Sequence, residues 1–220
     1  MAIKAVLFDI DGTLVDTNDL HVRAWEQALR GAGHHFDRQA IHDQIGKGAD
    51  TFVPALLPNL HSAARERLAE AHGRIFKAKY LSQAKPFPQA RDLLARVRGA
   101  GQAVVLASSA SQAELDHYLD LLDARGLVAA TTSADDVRTS KPAPDIFATA
   151  MKKAAPLAAD EAMVVGDTPY DIEAAAESGV RAVAVRSGGF PDEALQGAVA
   201  IYDDVAALLA GYDASPLALR

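Results

Sequence analysis

Asp9 and Asp11 stand two positions apart in the run Asp-Ile-Asp-Gly, directly after an apolar segment. Ser108 and Ser109 close a second apolar run, Lys141 lies in Thr-Ser-Lys-Pro, and Gly166-Asp167 follow a third run with Asp171 just beyond. Carboxylates gathered in one place repel one another unless a cation or a proton intervenes. Hard oxygen ligands without His or Cys suit Mg²⁺, which takes few carboxylates and keeps several waters. Lys141 would bring a positive charge to the same group. Each residue also has an ordinary structural role open to it. Asp-Gly is a common turn, and Ser108, Ser109 or Ser111 would each serve as a helix N-cap. Lys141 alone reads as a solvated surface residue. Thr168-Pro169-Tyr170-Asp171 fits a capping box with Pro at the first helical position, which accounts for Asp171 but not for Asp167.

Bringing these residues together is a task for the fold. Ile3 to Phe8, Ala103 to Ala107, Ala162 to Val165 and Ala182 to Val185 are short, nearly uninterrupted apolar runs, the pattern of strands buried on both faces. Between them, Leu93, Leu94 and Val97, and then Leu115, Tyr118, Leu119 and Leu122, recur at helical spacing. Strands alternating with helices predict an α/β fold, a Rossmann-like parallel sheet with right-handed crossovers. Ligands bind such sheets at the carboxyl ends of the strands. Asp9, Asp11, Ser108 and Asp167 all stand at those ends. Residues 17–83 break the alternation: Val22, Trp25 and Leu29 mark one helix stripe and Leu68, Ala71 and Ile75 another, with glycines and prolines between. The sequence therefore predicts a catalytic core from 1–16 and 84–220, and an inserted helical cap domain at 17–83, with linkers near Asp16-Thr17 and Lys85-Pro86.

Composition narrows the function classes. The chain has 220 residues and a formal charge of −7, with no cysteine, so thiol catalysis, disulfides and Cys-ligated zinc are excluded. No basic run suggests a nucleic-acid face, and the acidic balance disfavours anionic membranes. The opening MAIKAVLFDIDG is too short and too acidic for a signal peptide, and no apolar stretch has the length of a membrane span, so a cytoplasmic protein is expected. Nothing fixes the oligomeric state, and a monomer is compatible with the sequence. Among the seven histidines, His21, His34 and His35 fall in the inserted segment without acid-rich ligand spacing, and read as surface residues. Gly46-Lys47-Gly48 matches a phosphate loop only weakly, since no Ser or Thr follows the lysine.

Taken in order, DIDGTLVD at 9–16, Ser108 in VVLASSA, Lys141 in SKPAPDIF and GDTPYD at 166–171 resemble the four motifs of the haloacid dehalogenase superfamily of phosphatases. The helical insertion resembles the cap of the phosphoglycolate phosphatase and β-phosphoglucomutase branch. The resemblance implies Asp9 as nucleophile and Asp11 as general acid and base. Ser108 and Lys141 would bind the transferring phosphoryl group, with Ser109 and the cap-loop Lys47 as further substrate contacts. It also implies Mg²⁺ held by Asp9, the carbonyl of Asp11 and Asp167, with Asp171 supporting the metal or orienting Lys141. The substrate would be a small phosphorylated metabolite. Asp50, where β-phosphoglucomutases resembling this chain usually offer Arg, disfavours a second phosphate and hence a mutase. An acid two positions after the nucleophile sets the chain apart from dehalogenases and phosphonatases, and the intact motifs stand against a catalytically silent protein on the same fold.

Overall fold

The computed structural model describes residues 2–154 and 157–218. Strand β1 (Ala5–Phe8) is followed by β2 (Val15–Asp16) and four helices: α1 (Asn18–Gly31), α2 (Arg38–His42), α3 (Ala49–Leu56) and α4 (Ser62–Lys79). The chain returns through β3 (Lys85–Pro86) and continues as α5 (Ala90–Gly99), β4 (Ala103–Ala107), α6 (Gln112–Leu121), β5 (Ala130–Thr132) and α7 (Asp145–Ala154). It closes with β6 (Ala162–Gly166), α8 (Pro169–Glu177), β7 (Arg181–Val185), β8 (Ala200–Tyr202) and α9 (Val205–Ala210). Six strands form one parallel sheet in the order β5-β4-β1-β6-β7-β8.

The sheet is buried on both sides, as the unbroken apolar runs require. Val6, Phe8, Val104, Leu106, Met163, Val165, Val183 and Val185 face one layer, built from α5, α6 and α9. Ala5, Leu7, Val105, Ala107, Ala162, Val164, Ala182 and Ala184 face the other, against α7 and α8. The second set is rich in alanine. Small side chains there let α7 and α8 lie close to the sheet, and those helices are the ones that follow Lys141 and Asp167. The sheet edges differ from the sequence expectation: β5 and β8 are three-residue strands with half-buried faces, too short to give a period, and β2 pairs with β3 as a separate antiparallel ribbon, Val15 opposite Pro86 and Asp16 opposite Lys85.

Helices α1 to α4 pack around their own apolar cluster of Val22, Trp25, Leu29, Ile41, Ile45, Phe52, Val53 and Leu68. The α1 stripe lies where its spacing puts it. That of α4 is rotated: Leu68 and Phe76 are buried, while Ala71 and Ile75 are only partly covered. The rotation puts His72 on the inner face, where its ring stacks 4.1 Å from Trp25, which stacks in turn 4.1 Å from Phe52. No helix among the described residues is long and apolar enough to cross a membrane.

Candidate active site

β1 is central, with β4 on one side and β6 on the other, so its carboxyl end opens into the crevice where the strand order reverses. Asp9 extends the ladder by one bond, its N–H donating to Val165 O at 2.9 Å. The chain then turns sharply, with Gly12 N–H donating to Val15 O and Thr13, Leu14 and Val15 all donating to Ile10 O. Gly12 has φ +82°, and a Cβ there would stand 2.2 Å from Asp167 Oδ2, so only glycine fits this turn.

Four side chains meet beneath that turn. Lys141 is fully buried, and its Nζ lies 2.5 Å from Asp9 Oδ1, 2.7 Å from Asp171 Oδ1 and 3.3 Å from Ala107 O. An ammonium has three N–H groups, and all three are spoken for. The surface-lysine alternative is therefore set aside. Asp171 does two jobs at once. Its Oδ2 accepts from Thr168 N–H (3.0 Å) and Thr168 Oγ1 (2.6 Å), closing the capping box of α8, while Oδ1 faces Lys141. The capping role and the orienting role are both filled, and Asp171 also belongs to the group of acids whose oxygens could hold a metal. Asp167 is buried, its Oδ1 accepting from Thr13 Oγ1 at 2.7 Å and its Oδ2 from Asn18 Nδ2 at 2.9 Å.

Three buried carboxylates around one ammonium leave an excess of negative charge. Burial raises the Asp9 carboxyl to about 7; the coulombic pull of Lys141 opposes the rise, and Asp171 and Asp11 add to it. Burial also raises Asp167 well above the carboxylate range, with the Asp9 and Asp171 charges reinforcing it. Burial lowers Lys141, but Asp171 and Asp9 more than reverse this and hold the ammonium charged. Asp9, Asp167 and Asp171 each place an oxygen within 4.8 Å of the others. The Asp11 carbonyl accepts no backbone hydrogen bond among the described residues. Oxygen donors with surplus negative charge and a carbonyl at hand fit a hard divalent cation, which Asp9, Asp167 and that carbonyl could ligate with Asp171 beside them.

Asp11 is partly open. Burial would raise its carboxyl, but the His21 ring and the Thr17 hydroxyl outweigh that and hold it below the usual range. Thr17 Oγ1 donates to Asp11 Oδ1 at 2.6 Å, and His21 Nε2 is 3.3 Å from the same oxygen. The surface reading of His21 is thereby corrected. It lies four residues after Thr17 on α1, one helical turn, and α1 begins directly under the site. His21 Nδ1 in turn sits 3.3 Å from His72 Nε2. Spacing within α1 was the signal that could have found His21; for His72 no local signal existed. Ser108 is buried, its Oγ 3.3 Å from Asp11 Oδ2 and accepting from Ala110 N–H at 3.0 Å. The helix cap is Ser111 instead, in a capping box with Glu114.

The helical segment roofs the site. Its segment 45–51 touches the core at several points: Ser109 Oγ lies 3.4 Å from Gly46 O, Ser140 N–H donates to Asp50 Oδ2 at 3.0 Å, and Thr51 Oγ1 donates to Lys141 O at 2.9 Å. Lys47 Nζ donates to Gln44 Oε1 at 2.6 Å and lies 4.4 Å from the centre of the Tyr170 ring. Beneath the roof is a cavity of about 520 Å³ lined by Asp9, Asp11, His21, Lys47, Ser109 and Arg138 among others.

Residues 6–185 match the family model of haloacid dehalogenase-like hydrolases. The chain belongs to this family. It is 31% identical to the phosphoglycolate phosphatase of Yersinia pseudotuberculosis over 195 residues, covering 85% of this chain and 82% of that protein. It is 27% identical to the fructose-1-phosphate phosphatase YqaB of Escherichia coli over 187 residues, covering 82% and 95%. The crystal structure of a hydrolase from Pseudomonas syringae superposes with a TM-score of 0.90 at 29% identity, covering 96% of this chain and 98% of that one. As a haloacid dehalogenase-like hydrolase, the chain carries its central acidic strand end and its buried lysine in one continuous family match.

Proposed function

We propose that this hydrolase is a magnesium-dependent phosphatase acting on a small phosphorylated metabolite through an aspartyl-phosphate on Asp9, beneath a movable cap formed by residues 17–83. The observation that carries the proposal is the buried Lys141 ammonium, fixed 2.7 Å from Asp171 and 2.5 Å from Asp9, which lines the roofed cavity. A nucleophilic carboxylate needs a fixed cation beside it to offset the charge of an incoming phosphoryl group. Relatives named for phosphoglycolate and fructose 1-phosphate support the substrate class.

Asp9 supplies a carboxylate oxygen to phosphorus, and the bond from phosphorus to the ester oxygen breaks. Asp11 gives its proton to that leaving oxygen. A water then attacks the aspartyl-phosphate, Asp11 takes the proton back, and the phosphorus–Asp9 bond breaks to release inorganic phosphate. Asp11 rests as the carboxylate that the second step requires; an arriving phosphate dianion favours its protonation for the first. Ser108 and Lys141 bind phosphoryl oxygens, and Ser109 and Lys47 lie toward the substrate's remainder. Asp9, the Asp11 carbonyl and Asp167 would hold Mg²⁺, which when bound would neutralise phosphate charge. The cap excludes bulk water during transfer. A mutase is disfavoured by Asp50, whose carboxylate sits at the cap–core junction where a second phosphate would need a cation.

The test is a hydrolysis screen of phosphorylated metabolites with Mg²⁺, including β-glucose 1-phosphate. Phosphate release that Asp9→Asn abolishes is expected. Glucose 6-phosphate accumulating with little free phosphate would replace the hydrolase with a mutase.

A further inference from the structure

Asn18 is the first residue of α1 and thus part of the cap, yet its side chain is buried against the core. Its Nδ2 lies 2.9 Å from Asp167 Oδ2 and 3.4 Å from the carbonyl of Gly188. Both neighbours are acceptors, which fixes the orientation of the amide. Asn18 Oδ1, facing the other way, is buried without a protein partner. A buried acceptor left unmatched is destabilising, so an apolar residue of similar shape would make a more stable junction unless the amide has work to do. Asp167 has little room for any other donor. A Cβ at Gly12 or Gly188 would come within 2.2 Å or 2.1 Å of Asp167 Oδ2, and Thr13 already occupies Oδ1.

With Asp167 taken as a metal ligand, as proposed above, we infer that Asn18 is a positioning residue of the metal site: it holds Asp167 by Oδ2 from the cap, and so couples cation binding to cap closure. Partners that orient a metal-ligating carboxylate are typically worth about 10–100-fold in metal affinity. Asn18 follows the β2–β3 ribbon directly, so a cap swing that draws α1 from the core releases Asp167. Coupling of this kind is reciprocal: an ion that fixes Asp167 must favour the closed cap by the same factor.

Titration calorimetry with Mg²⁺ into chelator-stripped protein tests this without any turnover. Asn18→Leu keeps the side chain's shape and removes the amide. It is expected to weaken Mg²⁺ binding by about 10–100-fold and to abolish Mg²⁺-induced protection of residues 43–51 from hydrogen exchange, which the wild type should show. Should Asn18→Leu not fold, Asn18→Ser serves, since its hydroxyl falls short of Oδ2. A residue that merely glues cap to core would lower the melting temperature and leave Mg²⁺ affinity intact, so an affinity within about two-fold of wild type overturns the inference. A wild type that binds no Mg²⁺, or an Asp167→Asn variant that binds it undiminished, overturns the metal assignment and the inference with it.

Discussion

Replacing Asp9 by Asn should change how the metal-free protein responds to pH. Burial keeps the Asp9 carboxyl at about 7 in the folded protein, against 3.8 in a solvated chain. A folded value above the unfolded one means that the protonated form stabilises the fold. That contribution is complete below the unfolded value and is lost as pH rises through about 7. A full proton difference is worth about 1.36 kcal/mol per pH unit, and the group is half titrated at about 7, so the rise from about pH 5 to about pH 7 costs about 2 kcal/mol. For a chain of this length each kcal/mol moves the melting temperature by about 2–4 °C, giving a fall of about 4–8 °C. Asp9→Asn removes the titrating group and also one of the charges that raises Asp167. Its melting temperature in chelator should therefore fall less than that of the wild type over the same range. The assay is thermal unfolding by circular dichroism, at several pH values, with and without Mg²⁺. Mg²⁺ takes the place of the shared proton, so its stabilisation of the wild type should be larger near pH 8 than near pH 5. Equal pH slopes for wild type and variant in chelator would refute the account of a proton held by crowded carboxylates.

Four further expectations follow from the same geometry. Asp11→Asn should slow turnover by about 10²–10⁴-fold, with a smaller loss for nitrophenyl phosphate than for an alkyl phosphate; equal losses when phosphorylation limits the rate would remove Asp11 from the acid role. Activity should vanish in chelator and return poorly with Ca²⁺, which prefers more ligands and looser geometry, and Asp167→Ala should raise the Mg²⁺ concentration needed for half-maximal rate. Gly48→Ala should raise KM for every substrate, because a Cβ there would meet Ser140 Oγ at 2.0 Å and push the cap loop off the core; unchanged kinetics would mean that the loop need not seat. Lys47→Ala should raise KM for an acidic substrate more than for nitrophenyl phosphate, since its ammonium lies away from the transferring group.

Much of this architecture was legible in the sequence because it repeats at short range. The central strands declared themselves as apolar runs, since a strand buried on both faces has no polar position to interrupt it. Asp9, Asp11 and Asp167 stood where those runs ended. Edge strands β5 and β8 left no such mark, being three residues long with half-buried faces. The α4 stripe was displaced by one position because His72, polar in any scale, packs inward on Trp25. What could not be read was contact between distant segments. Asn18 meets Asp167 across 149 positions and Asp50 meets Ser140 across 90, and no local period records either. For Asp171 the sequence offered a metal role, an orienting role and a capping role, and its two oxygens carry the last two together.

The β2–β3 ribbon has a consequence for how such an enzyme can diversify. The chain leaves the core at Val15–Asp16 and re-enters at Lys85–Pro86, strand beside strand. Paired residues in an antiparallel ladder stand only about 5 Å apart. To the sheet, everything between is a loop of almost no span, whatever its length. Helices there can be lengthened, exchanged or trimmed to a short turn without shifting the register of any core strand. Under the proposed function, substrate choice would travel on an interchangeable part, while the carboxylates proposed to react stay on a part that never has to change.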